Sequence, residues 1–207
     1  GFERIVIETT GLADPGPILQ TFLLDPNLAK NVRMDGVITV VDAANGPTTL
    51  DSHFEAVSQI AMADLILLSK TDIVSENIIA SFRKRLNSLN PTAKVIKIVS
   101  GNITPESLWS LSGLRKGVEP STAIAWTTPR FEPQGDPFSN LSGLLKTENT
   151  PLVGALHDKQ INSASIILEK PIKDEIFDRW LDTLIILKGP NILRVKGIVF
   201  LEGIEGP

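Results

Sequence analysis

The sequence predicts an α/β protein with a doubly wound, mostly parallel sheet, followed by a smaller, partial α+β domain. Short continuous apolar segments alternate with amphipathic stretches of helical period, and continuous apolar strands are typical of sheets covered on both faces. Strand and helix alternate along the chain, which favours a parallel sheet. Each predicted strand of the first half ends in a polar cluster. These clusters should meet at the carboxyl edge of the sheet, where such folds bind ligands.

Four strands are predicted in the first half of the chain. They cover residues 4–7, 36–41, 64–68 and 94–99. Amphipathic helices are predicted between them, with N-caps at Asp14, at Asp51 or Ser52, and at Ser75. Residues 45–50 are predicted as a turn, and a short helix is expected near residues 105–109.

The second half begins with a predicted linker. Residues 119–160 are rich in Gly, Pro, Ser, Thr and Asn, so they are expected to be partly disordered. A strand at 163–168, a helix at 172–187 with Phe177 and Trp180 in the core, and one or two strands within 192–201 should follow. The predicted domains are therefore 1–118 and 161–207.

Composition excludes several classes of function. The 207 residues carry a net charge of −4, so no basic field would attract nucleic acid or an anionic membrane. The chain has no cysteine, which excludes disulfides and thiolate metal sites. No targeting segment is visible and no apolar run reaches the ~20 residues of a membrane span. We expect a cytoplasmic protein without nucleic-acid or membrane partners.

Glu8 is the first candidate functional residue. It follows the predicted strand 4–7, and Gly11 stands three residues later. P-loop nucleotidases hold magnesium and sense the terminal phosphate with an acid at such a strand end. The alternative is a strand end whose carboxylate caps a nearby amide.

The turn Ser69-Lys70-Thr71-Asp72 is the second candidate site. In GTPases a turn of the form [N/T/S]-K-x-D recognises guanine. The Asp carboxylate accepts hydrogen bonds from ring N1–H and the exocyclic amine, while the Lys stem lies along the base. Taken alone, the same four residues also suit a solvated loop in which Asp72 caps a helix. Their order after Glu8 favours guanine binding.

Three further polar residues keep open alternatives. Asp42 could reach a nucleotide or its magnesium shell, or simply form a turn. His53 is more readily an exposed or capping residue than a ligand, and His157 lacks partner ligands nearby. No metal ligand is therefore assigned.

Five segments together resemble the CobW-type GTPases, relatives of the nickel-insertion GTPases of hydrogenase and urease maturation. The segments are VIETTGLADP at 6–15, GVITVVDA at 36–43, DLILLSKTD at 64–72, KVIKIVSGN at 94–102 and LRVKGIVFLEG at 193–203. The resemblance covers about 1–115 and 160–203. It implies a P-loop-type nucleotidase domain, here 1–118, joined to a small C-terminal domain.

The resemblance also implies a function and residue roles. It implies GTP-dependent handling of zinc, cobalt or another transition metal, with GTP and Mg²⁺ as cofactors and a client metalloprotein or cofactor-biosynthesis enzyme as partner. Glu8 would act on magnesium and Gly11 would let the backbone approach the γ-phosphate. Lys70 and Asp72 in the turn opened by Ser69 would contact guanine, and Ser100 would lie beside the base.

The sequence departs from this family pattern at two motifs. It contains no G-x-x-x-x-G-K-[ST] and no Cys-x-Cys-Cys, so the phosphate-binding loop is absent. We expect a fragment of a longer protein, inactive or nearly so by itself. Without the strand that leads into this loop, the sheet has unpaired strand edges. We expect the remaining strands either to pair directly across that gap or to take up a strand from another copy of the chain, which would make a homo-oligomer. A non-enzymatic interaction module on a degenerate nucleotidase scaffold is the alternative, and an ATP-dependent relative is disfavoured by Asp72.

Overall fold

The computed structural model describes residues 3–111, 161, 164, 166–168 and 170–204. These residues divide between two compact units. The first unit contains 3–111 and 161, and the second contains the described residues from 164 onward. The predicted domain boundaries at 118 and 161 and the predicted linker concern largely the undescribed residues, so they stay predictions.

A parallel sheet of three strands, in the order β1-β2-β3, organises the first unit. The strands are β1 (Ile38–Asp42), β2 (Leu65–Ser69) and β3 (Lys94–Lys97). β1 pairs with β2 in a register that places Asp42 opposite Ser69, and β2 pairs with β3. The prediction of a parallel α/β sheet is confirmed, and the second to fourth predicted strands form with boundaries shifted by one or two residues.

Helices precede the sheet and connect its strands. The helices of the first unit are α1 (Gly16–Leu24), α2 (Pro26–Asn31), α3 (Gly46–Ser52), α4 (Phe54–Met62) and α5 (Glu76–Leu89), with a 3-10 turn at Pro105–Leu108. α1 begins one residue later than predicted, because Pro15 occupies the N-cap and the carboxylate of Asp14 accepts the Gly16 N–H at 2.9 Å. Ser75 is the N-cap of α5, as predicted, but its side chain makes no capping hydrogen bond.

The main core lies between one face of the sheet and helices α3, α4 and α5. Its buried side chains include Val41, Leu50, Val57, Ile60, Ile66, Leu68, Ile79, Phe82 and Leu86. On the other face, Leu65, Leu67 and Ile98 pack against partly buried residues that include Leu108 and Leu111. Val40, on that face of β1, is 65 % exposed. The second face is thus covered at β2 and β3 and open at β1.

The predicted first strand is wrong. Residues 4–7 form neither strand nor helix, and Val6 is 75 % exposed. A strand needs a neighbour that accepts its backbone hydrogen bonds, and the described residues place no strand beside this segment. Instead the Arg4 guanidinium lies 4.3 Å from the centroid of the Trp109 ring. We expected the remaining strands to pair across the position of the missing strand, and in the described residues they do not. Strand borrowing from another copy stays a prediction.

The predicted turn at 45–50 is also wrong. These residues form most of α3, which begins at Gly46 with Pro47 in its first turn. Pro47 pre-sets the helical φ and lacks only an N–H that the first turn leaves unpaired. The helix predicted to start at Asp51 or Ser52 therefore begins as α4 at Phe54. Phe54, the first residue of α4, is exposed.

The described part of the second unit contains one long helix, α6 (Asp174–Lys188), and a 3-10 turn at Gly189–Asn191. A parallel bridge joins Ile172 to Leu201. Residues 192–200 form no strand, contrary to prediction. Of the second predicted strand, 163–168, the described residues 166–168 form no strand either. Residues 163 and 165 lie outside the described residues. None of the α6 side chains is fully buried. Phe177 and Trp180 stack on each other with centroids 6.0 Å apart, and Trp180 is exposed rather than in a core.

Candidate functional site

The carboxyl ends of β1 and β2 are joined by backbone and side-chain hydrogen bonds. The Ala43 N–H donates to the Ser69 carbonyl at 2.9 Å, and the Ser69 hydroxyl donates to the Val41 carbonyl at 3.1 Å. Ser69, predicted to open a guanine-binding turn, is thus half-buried and serves the strand junction. These bonds fix the backbone from which Asp42 and Lys70 project.

Asp42 is the most heavily hydrogen-bonded acid at this edge. Its Oδ1 accepts the N–H groups of Ala44 at 2.7 Å and Asn45 at 3.1 Å, and its Oδ2 accepts the Asn45 side-chain amide at 3.1 Å. Partial burial raises the pKa of Asp42, but the bonds from Lys70, Asn45 and Ala44 outweigh it and lower the pKa to about 2. The carboxylate is therefore ionised throughout the physiological range. The turn-forming alternative for Asp42 agrees with this geometry.

Lys70 turns back toward β1. Its Nζ lies 2.7 Å from Oδ2 of Asp42, and both side chains are partly exposed. Its backbone has φ 55°, in the left-handed region that residues with a Cβ adopt at some cost. The ion pair joins residues 28 positions apart.

Asp72 lies two residues beyond Lys70 and is exposed. Its carboxylate forms no hydrogen bond or ion pair with any residue that the structure describes. The Thr71 hydroxyl donates a hydrogen bond to the Ile98 carbonyl at 3.5 Å, which links the turn to the residue that follows β3. A free carboxylate at the carboxyl edge of a parallel sheet can accept two hydrogen bonds from a ligand.

Ser100 belongs to a second turn at the same edge. It has φ 50° and Gly101 has φ 71°, and the Asn102 N–H donates to the Val99 carbonyl at 2.9 Å. The Ile98 N–H donates to the Leu68 carbonyl at 2.8 Å, so the β2–β3 ladder continues to the base of this turn. Ser100 is exposed and makes no hydrogen bond to the 69–72 turn within the described residues.

Glu8 is exposed, and its carboxylate has no hydrogen bond or ion pair within the described part of the chain. No hydrogen bond or ion pair joins Glu8 to Lys70 or Asp72, which are both described. Gly11 is held differently, because the Gln59 side chain of α4 donates to the carbonyls of Gly11 at 3.0 Å and Ala13 at 2.8 Å. Gln59 thus ties the segment after Glu8 to the core.

A cleft of about 170 Å³ lies beside β1. Its lining residues include Gly11 and Leu12 as well as Val40, Asp42 and Gln59. A Cβ on Gly11 would meet no atom within 4 Å. The predicted site residue Gly11 thus lines the cleft together with Asp42, while Glu8 and Lys70 are not among its lining residues.

The described residues contain no group of three or more His, Asp or Glu side chains that could hold a metal ion, and no described helix is long and apolar enough to cross a membrane. Chemically, the described edge offers one free carboxylate, one restrained ammonium group and two turns. These groups are better suited to bind a polar ring that carries hydrogen-bond donors than to bind a metal ion.

Two residues that contribute to this arrangement were not among the predicted site residues. Asp42 is the ion-pair partner of Lys70, and its position at the end of a buried strand was the available signal. Gln59 lies within an amphipathic helix and carries no motif, so no sequence pattern distinguishes it.

The chain is similar in sequence to one family of nucleotide-binding domains and to individual proteins of known name. Residues 1–97 match the model of the "CobW/HypB/UreG, nucleotide-binding domain" family. The chain is 31 % identical over 204 residues to the zinc chaperone YjiA of Escherichia coli (strain K12), covering 98 % of this chain and 55 % of that protein. It is 32 % identical over 183 residues to the zinc-regulated GTPase metalloprotein activator 1 of Schizosaccharomyces pombe, covering 87 % and 43 %.

A solved structure agrees with these sequence matches. The crystal structure of Zn(II)-bound YjiA GTPase from E. coli superposes with a TM-score of 0.65 at 29 % identity, covering 99 % of this chain and 56 % of that one. The predicted α/β fold class of the P-loop-NTPase type is confirmed. The chain spans about half the length of the relatives it matches.

Proposed function

Because this chain belongs to the CobW/HypB/UreG family, we propose that it forms part of a GTP-binding, GTP-hydrolysing metallochaperone that handles zinc or another transition metal in the cytoplasm. The proposal is supported by the family match, by the zinc chaperone and GTPase relatives, and by the carboxyl edge described above. The metal would be cargo for a client metalloprotein or a cofactor-biosynthesis enzyme. Cobalt is the alternative cargo.

The 69–72 turn would recognise guanine. The observation that carries this step is the free, exposed carboxylate of Asp72 beside a lysine whose ammonium group is already occupied. Asp72 would accept the N1–H and the exocyclic N–H of guanine, a pair of donors that adenine lacks. The stem of Lys70 would lie along the base, and Ser100 in the neighbouring turn would border it.

The segment from Glu8 to Gly11 would face the phosphates and magnesium. GTP, when bound, supplies the phosphoryl group whose hydrolysis drives the switch between two states of such proteins. Glu8 would hold magnesium directly or through water, because its carboxylate is exposed and has no partner among the described residues. Gly11 would allow close approach of the backbone, since no atom surrounds its Cα on the side-chain side. The sequence has no G-x-x-x-x-G-K-[ST], so these residues would contribute little phosphate affinity by themselves.

Isothermal titration with GDP and Mg²⁺ tests the guanine site. The protein should be the complete reading frame that contains this chain, with ADP as the competing ligand. We expect a preference for GDP, and we expect Asp72→Asn to reverse it toward xanthosine diphosphate, whose O2 is an acceptor where guanine has an amine. Equal affinity for GDP and ADP, or an Asp72→Asn variant that keeps its guanine preference, would exclude guanine recognition by this turn.

A non-enzymatic interaction module is the second candidate. It is favoured by α6, on which no side chain is fully buried and apolar residues such as Ile176 and Ile186 are exposed. Absence of nucleotide binding in both this chain and the complete reading frame would support the module. Nucleotide binding and turnover in the complete reading frame would support the GTPase.

A further inference from the structure

The ion pair between Asp42 and Lys70 lies at the carboxyl edge of the sheet, where β1 and β2 end. We propose that Asp42 is a positioning residue of the nucleotide site, which directs the Lys70 side chain along the base and keeps its ammonium group away from Asp72. This inference rests on the proposed recognition of guanine by the 69–72 turn and adds a residue from a different strand to it.

Asp42 is a rigid anchor. Its carboxylate accepts two backbone N–H groups, of Ala44 and Asn45, and one side-chain amide, of Asn45, in addition to Lys70. Its backbone is the last residue of β1 and is paired in register with Ser69. Because both its backbone and its side chain are held, the carboxylate cannot follow a moving lysine. It instead defines where the ammonium group rests.

Lys70 needs such an anchor. Its main chain is set by the strand junction at Ser69 and by a left-handed φ of 55°, but its side chain has four rotatable bonds and is half exposed. A free lysine of this kind samples many rotamers, and ordering it costs conformational entropy. The bond to Asp42 at 2.7 Å restricts those rotamers before a ligand arrives. Binding to a pre-ordered side chain loses less conformational entropy.

The same bond keeps Asp72 available. Lys70 and Asp72 carry opposite charges two residues apart, and a lysine without another partner would be attracted to the acid. In the structure the ammonium group is bound to Asp42, and Asp72 has no partner within the described residues. An unpaired Asp72 can offer both oxygens to the donors of guanine. The ion pair with Asp42 thus favours both proposed contacts of the turn, that of the Lys70 stem with the base and that of the Asp72 carboxylate with the guanine donors.

A purely structural role for Asp42 predicts different results. If its function is only to form the turn that starts α3, then any residue with a similar acceptor should replace it. Asn at this position keeps an oxygen for the backbone N–H groups of Ala44 and Asn45, but loses the charge that binds Lys70 and the oxygen that accepts the Asn45 side-chain amide. Asp42→Asn therefore separates the turn from the ion pair. Lys70→Met breaks the same pair from the other side and leaves the turn intact.

The experiment measures GDP, inosine diphosphate and ADP affinity by titration calorimetry on the complete reading frame. We expect Asp42→Asn to weaken binding of GDP and inosine diphosphate roughly three- to ten-fold, since an exposed ion pair contributes modestly. ADP should lose less, because adenine lacks the N1–H that Asp72 would accept and is affected only through the Lys70 stem. Lys70→Met should cost at least as much. The double variant should be no weaker than Lys70→Met alone, because the two residues act through one bond.

The control is Asp51→Asn, which removes the ion pair at 2.7 Å between the exposed Asp51 of α3 and the half-buried Arg85 of α5. It should leave nucleotide affinity unchanged. An Asp42→Asn variant that binds like the wild type, or losses that add fully in the double variant, would overturn the positioning role. If the wild type shows no guanine preference, or Asp72→Asn does not alter it, then both the guanine site and this inference are wrong. If Asp72→Asn behaves as expected and Asp42→Asn has no effect, only the inference is wrong.

Discussion

Asn90 connects three elements through one buried side chain. It is 4 % exposed, and its Nδ2 lies 2.7 Å from the Ile60 carbonyl and 2.8 Å from the Ala63 carbonyl at the end of α4. Its Oδ1 accepts the Ala93 N–H at 3.0 Å and both donors of Thr92. In the sequence, the pair Asn90–Pro91 indicates only that a helix ends there. The hydrogen bonds to α4 are a tertiary contact that no local pattern contains.

Asn90→Ala should destabilise the first unit by roughly 2–4 kcal/mol, because buried backbone carbonyls lose their donor and a small cavity remains. Asn31→Ala is the matched control, since exposed Asn31 makes a single bond to the Asn27 carbonyl, and it should cost less than about 0.5 kcal/mol. Urea unfolding followed by circular dichroism measures both. Equal losses for the two variants would contradict the role of Asn90.

At the scale of the elements, α3 approaches α5 closely because Gly46 has no side chain. A Cβ at Gly46 would lie 2.7 Å from Cζ of Phe82 and 3.2 Å from Cγ1 of Val41. Phe82 is fully buried in the main core. Gly46 therefore sets how near the start of α3 lies to α5 and to the end of β1, and through Asn45 it bears on the turn of Asp42.

Gly46→Ala should lower the free energy of unfolding by about 1–3 kcal/mol through overpacking against the Phe82 ring. Gly11→Ala, where no atom lies within 4 Å of the added methyl group, should change it by less than about 0.5 kcal/mol. Thermal unfolding measured by calorimetry compares the two. If Gly46→Ala is as stable as Gly11→Ala, the close contact is not a packing constraint.

At the scale of the whole molecule, the sheet is covered unevenly. All-parallel sheets normally bury both faces, yet Val40 is 65 % exposed and the free edge of β1 is paired with no strand that the structure describes. A parallel edge with apolar side chains invites association or aggregation. The uncovered part lies next to the cleft that Gly11 and Asp42 line.

Val40→Lys should raise the solubility of the 207-residue chain and reduce its self-association, because a charge on an exposed edge opposes strand pairing. Val41→Lys is the informative contrast, since Val41 is buried in the core and its replacement should unfold the unit. Light scattering against protein concentration measures association. Unchanged association in Val40→Lys would show that this edge is not responsible.

The sequence by itself determined the strands at the centre of the sheet, the parallel order, and the positions of α1, α5 and α6. Those features depend on local apolar periodicity and on Pro and Asp at helix starts. Both signals arise from residues that are close together in the sequence. It also identified the 69–72 turn and the family, because the motif order is a property of the chain.

Only the tertiary structure decided which of those residues work together. Residues 4–7 have strand-forming side chains, but a strand exists only when a neighbour completes its hydrogen bonds, and the described residues provide none. Asp42 had two open interpretations until the sheet register placed it opposite Ser69 and within 2.7 Å of Lys70. Gln59 and Asn90 act across 27 or more positions. Such contacts depend on how the elements pack, and hydrophobic period carries no information about which polar side chains will meet.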